Sequence, residues 1–207
     1  MNNQNNKIIY LVGGILIGLF FTLVFSPMMR WSGSMMPWGN NLIMNQRIKT
    51  ASGIDQHFIE QMIPHHEGAI AMANLALERA KRSEIKILAQ AIIKAQTNEN
   101  QEMKAWYQDW FGKSVPEGGL SSMGGMMSQG GMHMGGREDI DRLKNAVDFD
   151  REFIEQMIPH HQMAIMMAQM LEAGTDRPEM QQLAKNIIKS QSEEIQKMQD
   201  WYENWFN

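Results

Sequence analysis

Residues Phe58–His66 read Phe-Ile-Glu-Gln-Met-Ile-Pro-His-His, and the same nine residues recur at Phe153–His161, 95 positions further along the chain. Residues 55–111 and 150–206 align around these phrases without a gap and are identical at 29 of 57 positions. Such self-similarity indicates duplication of one structural unit. Each unit predicts two helices, one through the His pair and one with an aromatic end. The fold class is therefore all-α, a four-helix bundle of two duplicated helical hairpins.

The histidines lie on the apolar side of the first helix of each repeat. Residues spaced by three and four form two adjoining stripes, with His65 on one and His66 on the other. His160 and His161 repeat this placement. All four imidazoles are therefore predicted to point into the bundle.

Two further features of these helices concern the backbone. Asp55 and Asp150 stand where the helices are expected to begin, so we expect both side chains to act as N-caps. Pro64 and Pro159 directly precede the His pairs, where a proline either kinks a helix or starts a new one.

Glutamate interrupts the apolar stripe of the second helix in each repeat. Glu99 is followed one turn later by Met103, and Glu194 and Met198 repeat the pair, so that all four are further candidate metal ligands. A carboxylate in a bundle core requires a hydrogen-bonding, cationic or metal partner. A facing imidazole would suit, and the carboxylate would either orient a ligating histidine or bind the metal itself. A Glu–His hydrogen bond in a polar core layer without metal is the alternative.

Two linkers contain methionine where no core is expected. Residues 27–54 form a predicted Met-containing tether, and residues 112–149 form a predicted Gly/Met-rich crossover. Residues 55–207 are expected to make one bundle domain, with residues 150–207 as its second hairpin. Exposed thioethers gain nothing from water, whereas thioether and imidazole together favour Cu(I) or Ag(I) over ions that prefer oxygen. The crossover contributes the candidate ligands Met126, Met127, Met132, His133 and Met134.

The amino terminus predicts a membrane segment. Ile8 to Phe25 is an uncharged run of 18 residues that follows Lys7, just long enough to span a bilayer. No clear small-x-small cleavage motif follows it. Residues 1–26 are therefore expected to be an uncleaved signal anchor, with the bundle domain extracytoplasmic, in the periplasm or at the cell surface.

Composition narrows the possible functions. The net charge of −4 and the scattered basic residues argue against a nucleic-acid partner. Cysteine is absent, so thiolate chemistry and Cys-based metal sites are excluded, whereas methionine occurs 21 times. No nucleophile, base and orienting group form a recognisable set, and we do not expect an enzyme.

The repeats share four features: the Met-Ile-Pro-His-His phrase, the Asp three residues before the Phe, the following alanine and methionine (Ala69 and Met72 in the first repeat), and the Gln, Glu, Met, Trp run of the second helix. Together these features resemble the domain-of-unknown-function family numbered 305. The resemblance covers residues 55–206. It implies a ferritin-like four-helix bundle similar to Met- and His-rich periplasmic copper-binding proteins of the CopM type. The metal ligands that it implies are Met62, His65, His66, Met72, Met157, His160, His161 and Met167.

These observations favour an extracytoplasmic copper-binding protein, with Cu(I) as the favoured ion, that sequesters copper or delivers it to a copper exporter or chaperone. One alternative is a ferritin-like metal oxidase, which would place Glu three residues before its histidines. His65 and His160 have Met62 and Met157 there instead. The other alternative is a membrane-anchored helical interaction module without metal.

Overall fold

The computed structural model describes residues 39–116 and 136–207, with side chains described from residue 53 onward. These ranges contain helices and no strand, which confirms the all-α prediction. In chain order the helices are α1 (Gly39–Arg79), α2 (Ser83–Phe111), α3 (Arg137–Lys144), α4 (Phe149–Gly174) and α5 (Pro178–Phe206).

The helices form a bundle of two hairpins that follow the two repeats. α1 packs against α2, and α4 against α5, across connections of only three residues each. Short connections make consecutive helices antiparallel neighbours. The hairpins meet mainly through α1 and α4, and the short α3 packs against both of those helices. The two first helices of the repeats are therefore the contact between the two halves.

The first helix begins earlier than the sequence predicted. We expected a tether as far as residue 54, but α1 starts at Gly39. Residues 39–54 contain no proline, so nothing stops the helix from extending towards the amino terminus.

The predicted anchor at residues 1–26, the tether up to residue 38 and the crossover between 117 and 135 lie outside the described residues. Within the described ranges, no helix has a stretch apolar and long enough to cross a membrane.

Both internal prolines are accommodated without a break. α1 continues through Pro64, and α4 continues through Pro159. Of the two outcomes expected from the sequence, a new helix after the proline is therefore wrong. The His pairs lie in the middle of long helices, which hold them between well-packed neighbouring turns.

Two apolar clusters make up the core, and each combines side chains from both repeats. The first cluster joins the carboxyl half of α1 and the start of α2 to the start of α4 and the end of α5. The second cluster joins the middle of α1 and the end of α2 to the carboxyl half of α4 and the start of α5. The His pairs stand between these two sets along both α1 and α4. Neither hairpin can therefore complete a core alone.

The expected caps at Asp55 and Asp150 are wrong. α4 is capped by Asp148, whose side chain accepts a hydrogen bond from the Arg151 backbone N–H, and Asp55 lies deep inside the extended α1. The sequence placed the start of α4 two residues too late. In α1 the helix extends through the position where a cap was expected.

The two aspartates instead tie one repeat to the other. Asp150 is fully buried and accepts hydrogen bonds from the backbone N–H groups of Lys81 (2.9 Å) and Arg82 (3.0 Å), and from Arg82 Nη1 (3.1 Å). Asp55, also fully buried, pairs with Arg177 Nε at 3.1 Å. Each α-hairpin turn is thus held by a carboxylate from the other hairpin.

Aromatic rings at the ends of α2 and α5 complete these ties. The Arg177 guanidinium lies 3.9 Å from the centre of the Trp110 ring, and the Arg82 guanidinium 4.4 Å from that of Trp205. Cation–π contact adds to the ion pair at each position. The two ties have the same composition, as duplication requires.

Replacing Asp150 by Ala should lower the free energy of unfolding by about 3–5 kcal/mol, because it leaves two turn N–H groups and a guanidinium without their buried acceptor. Asp148→Ala is the matched control, and the loss of an exposed cap should cost only about 1 kcal/mol. Urea denaturation followed by circular dichroism measures both. Equal losses for the two variants would contradict the assigned roles.

Candidate metal centre

The four histidines form one layer where α1 crosses α4. His65, His66, His160 and His161 each have 0% of their surface exposed. The rings of His65 and His160 are 3.8 Å apart between centroids, with 40° between their planes. We call these four residues the His layer. The duplicated phrases therefore meet in space, so the two repeats contribute to one centre.

A glutamate holds the outer histidine of each pair. His66 Nε2 lies 2.7 Å from Glu99 Oε2, and His161 Nε2 lies 2.7 Å from Glu194 Oε2. The two carboxylates are 16% and 14% exposed, so each also reaches the edge of the bundle. Of the roles considered for Glu99 and Glu194, contact with an imidazole is the one observed. Because a carboxylate accepts, it favours the imidazole tautomer that carries its proton on Nε2.

Six ring nitrogens of the His layer have no hydrogen-bond partner among the described residues. They are both nitrogens of His65, both nitrogens of His160, and Nδ1 of His66 and of His161. Burying a polar atom without a hydrogen-bond partner is costly, and native proteins rarely contain such atoms. Such a set of orphaned imidazole nitrogens marks a place where a ligand is expected.

The inner histidines are held in the neutral state. Burial lowers the pKa of His65 and of His160 well below the usual value, and the neighbouring imidazoles lower it further. A neutral imidazole keeps one nitrogen lone pair available, which is the form that binds metals. Burial thus keeps both rings in the neutral form.

The predicted methionine ligands separate to the two sides of the His layer. Met62 and Met103 belong to the second cluster, against which Met167 packs half-buried. On the opposite side, the first cluster contains three buried methionines: Met72, Met157 and Met198. Met62 and Met72 are ten residues apart on one helix, or about 15 Å. They cannot bind a single ion together, and each cluster instead offers methionines from both repeats.

Buried amides near the glutamates were not predicted as site residues. Gln96 and Gln191 lie one turn before Glu99 and Glu194, are buried, and have side-chain oxygens without a partner among the described residues. Their presence in an otherwise apolar stripe was the available signal. They widen the polar layer on the side of α2 and α5.

No three side chains of the His, Asp or Glu type converge on a common point within the described ranges. Any ion held by the layer would therefore be bound by imidazole pairs, alone or with thioether sulfur. The crossover candidates Met126, Met127, Met132, His133 and Met134 lie outside the described residues.

Comparison with known proteins identifies the family. The sequence profile of the Domain of unknown function (DUF305) matches residues 55–202. The chain belongs to the DUF305 family. The matched DUF305 segment contains the whole His layer and both glutamates that contact it.

Solved DUF305-like structures share this arrangement of helices. CopM in the Cu(I)-bound form is 49% identical, with a TM-score of 0.64 over 74% of this chain and 98% of that chain. CopM has also been solved in apo, Cu(II)-bound and Ag-bound forms. A DUF305 fragment from Deinococcus radiodurans is 29% identical, with a TM-score of 0.61 over 71% of this chain and 93% of that one.

A curated relative is the uncharacterized protein L153 of Acanthamoeba polyphaga mimivirus, 45% identical over 49 residues. That match spans 24% of this chain and about a third (32%) of the viral protein. The similarity therefore concerns a segment, and it carries no conclusion about the activity of either whole protein.

In the metal-free protein, the neutral tautomer of His66 and of His161 should be the one with its proton on Nε2, because each Nε2–H donates to a glutamate. Long-range ¹H–¹⁵N NMR of the imidazoles reports the tautomer. Glu99→Leu should release His66 into a mixture of tautomers and leave His161, with its own Glu194, as the internal control. Rings in which Nδ1 carries the proton and Nε2 carries none would contradict the geometry.

Proposed function

We propose that this protein binds Cu(I) at the His layer. The single observation that supports this most is the burial of six imidazole nitrogens without partners in a layer flanked by thioether sulfurs. Imidazole and thioether are ligands that suit Cu(I), whereas Mg²⁺, Ca²⁺ and Mn²⁺ prefer oxygen. The proposed ligands are the four histidines of the layer and the methionines on either side of it.

The hydrogen bonds suggest which atoms bind. Nε2 of His66 and of His161 is engaged by a glutamate, so the proposed donor atom of each ring is Nδ1. A carboxylate that accepts from the other nitrogen of a ligating histidine fixes its orientation and raises its basicity. Glu99 and Glu194 are therefore proposed to position ligands rather than to bind the ion themselves.

The similarity to CopM supports the choice of ion. Structures of that protein hold Cu(I), Cu(II) and Ag. At 49% identity over nearly the whole length of CopM, the same chemistry is a reasonable assignment for this chain. The proposed preference for the Cu(I) state rests on the soft ligand set. We also propose that the fold is a ferritin-like four-helix bundle built from the duplicated hairpins.

We propose that the protein works outside the cytoplasm, anchored by residues 1–26, and either sequesters copper or delivers it to an exporter or chaperone. The apolar run at the amino terminus supports the anchor. Crossover methionines between residues 112 and 149 would collect ions and supply the bundle. Capture, rather than catalysis, is the activity proposed.

Both alternatives fit the described residues less well. A ferritin-like oxidase needs several carboxylates on its metals, yet Glu99 and Glu194 each contact an imidazole and Glu60 contacts Tyr107. An interaction module without metal would satisfy its buried histidines by hydrogen bonds within the protein. The orphaned nitrogens of His65 and His160 argue against that arrangement.

Replacing all four histidines of the layer by Ala should remove the bundle's bound Cu(I) and leave helix content largely intact, because the apolar clusters on both sides remain. Binding is measured on the full chain by competition with a Cu(I) chelator, with Zn(II) and Fe(II) in parallel. His57→Ala is the matched control, since His57 is exposed and outside the layer. Unchanged copper stoichiometry in the quadruple variant would overturn the proposal.

A further inference from the structure

Three methionines on the outer face of α4 have no role in the core. Met166 is 45% exposed and Met170 62% exposed, and Met163 is half-buried beside them. Steps of three and four residues separate the three, so they lie on one face of the helix. We call them the outer methionine row. An apolar side chain gains nothing from such exposure, and three in one row differ from the single exposed hydrophobic residues common on protein surfaces.

Duplication does not explain the row. The corresponding positions of α1 hold Gly68, Ala71 and Leu75, none of which has a sulfur atom. The bundle can therefore be built without methionine on this face, since α1 occupies the equivalent place in the other hairpin. The row belongs to α4 alone and is separate from the methionines of the two clusters.

The row begins beside the His layer. Met163 follows His160 by three residues, Met166 follows Met163 by three, and Met170 follows Met166 by four. Side chains at these spacings are neighbours, with Cβ atoms roughly 5–6 Å apart. The three thioethers therefore lead from solvent at Met170 to the turn that carries His160. His160 is fully buried, so an ion bound there has to pass protein side chains on its way.

We propose that Met163, Met166 and Met170 form an exposed thioether site that takes up Cu(I) and passes it to His160. The transfer is a ligand exchange: a Cu(I)–sulfur bond breaks as a Cu(I)–nitrogen bond forms, without oxidation or reduction. Thioether sulfur selects the same soft ion as the layer and is never protonated, so uptake needs no loss of a proton. This transfer rests on the proposed copper binding of the His layer, whereas uptake by the row does not.

The test uses the full chain labelled with ¹³C at the methionine methyl groups, and Ag(I) as a soft monovalent ion that does not change oxidation state. Single Met→Leu variants assign the three methyl signals, and Leu keeps the size and apolar character of each side chain. Ile87→Met is the control. Ile87 is 65% exposed on α2, and the change adds a lone thioether without a methionine one turn away.

We expect the three methyl signals of the row to shift together at Ag(I) concentrations that leave the methyl group introduced by Ile87→Met unmoved. The triple variant M163L/M166L/M170L should bind about one Ag(I) fewer per chain. It should also load the His layer several-fold more slowly, as followed by the imidazole NMR signals, and reach the same final occupancy.

Two outcomes would overturn the inference. In the first, the methyl signals of the row do not shift, or they shift only at the Ag(I) concentrations that also shift the methyl signal of the Ile87→Met control. The second is a triple variant that loads the His layer as fast as wild type. The quadruple His→Ala variant separates this inference from the proposed function. Methyl shifts that persist there, without binding at the layer, show uptake by the row independently of the layer.

Discussion

The burial of four imidazoles at the contact between two repeats is the constraint on which the rest of the structure depends. The rings of His65 and His160 lie 3.8 Å apart between centroids and are tilted by 40°, with no hydrogen-bond partner for either ring among the described residues. Such a layer is unfavourable on its own, so the apolar clusters on its two sides must hold it together. Each cluster takes side chains from both hairpins. The repeats are therefore bound to one another by the same packing that builds the site.

Register between the hairpins matters for the same reason. A shift of one turn between α1 and α4 would move the His65 ring away from His160 by about 5.4 Å. The ion pairs Asp55–Arg177 and Asp150–Arg82 oppose such a shift, since each joins a buried carboxylate on a helix of one hairpin to a partly exposed arginine in the turn of the other. A buried carboxylate that loses its partner is strongly unfavourable. The two ion pairs thus add to the packing of the apolar clusters in opposing a change of register between the hairpins.

Periodicity identified the inward faces and the all-α fold, because helical spacing alone decides which side chains share a face. It also placed each glutamate on an inward stripe, where an imidazole was one of the partners considered. It could not identify the partners across the bundle. Asp55 and Asp150 look like caps when only their own helix is considered, whereas their partners lie about 70 to 120 residues away in the chain. Met62 and Met72 likewise share a helix face but belong to opposite clusters. Family membership supported the fold, yet the assignment of ligand atoms depends on distances that no sequence contains.

The proposed choice of ion depends on the residue that stands one turn before each inner histidine. A carboxylate at that position would bring a negative charge to the ligand sphere and favour metals that prefer oxygen. Met62 and Met157 stand there instead, and their sulfur is neutral.

The acidic side chains next to the layer are Glu99 and Glu194, and both contact the outer imidazoles from the partly exposed edge. An imidazole ring thus separates each carboxylate from the proposed ion, where the carboxylate would orient a nitrogen ligand. In the proposed centre the donors are neutral and the interior is apolar, so a second positive charge would be costly to desolvate. The two glutamates offset that cost only from the far side of an imidazole ring. The neutral donors are therefore the reason why we propose a monovalent ion rather than a divalent one.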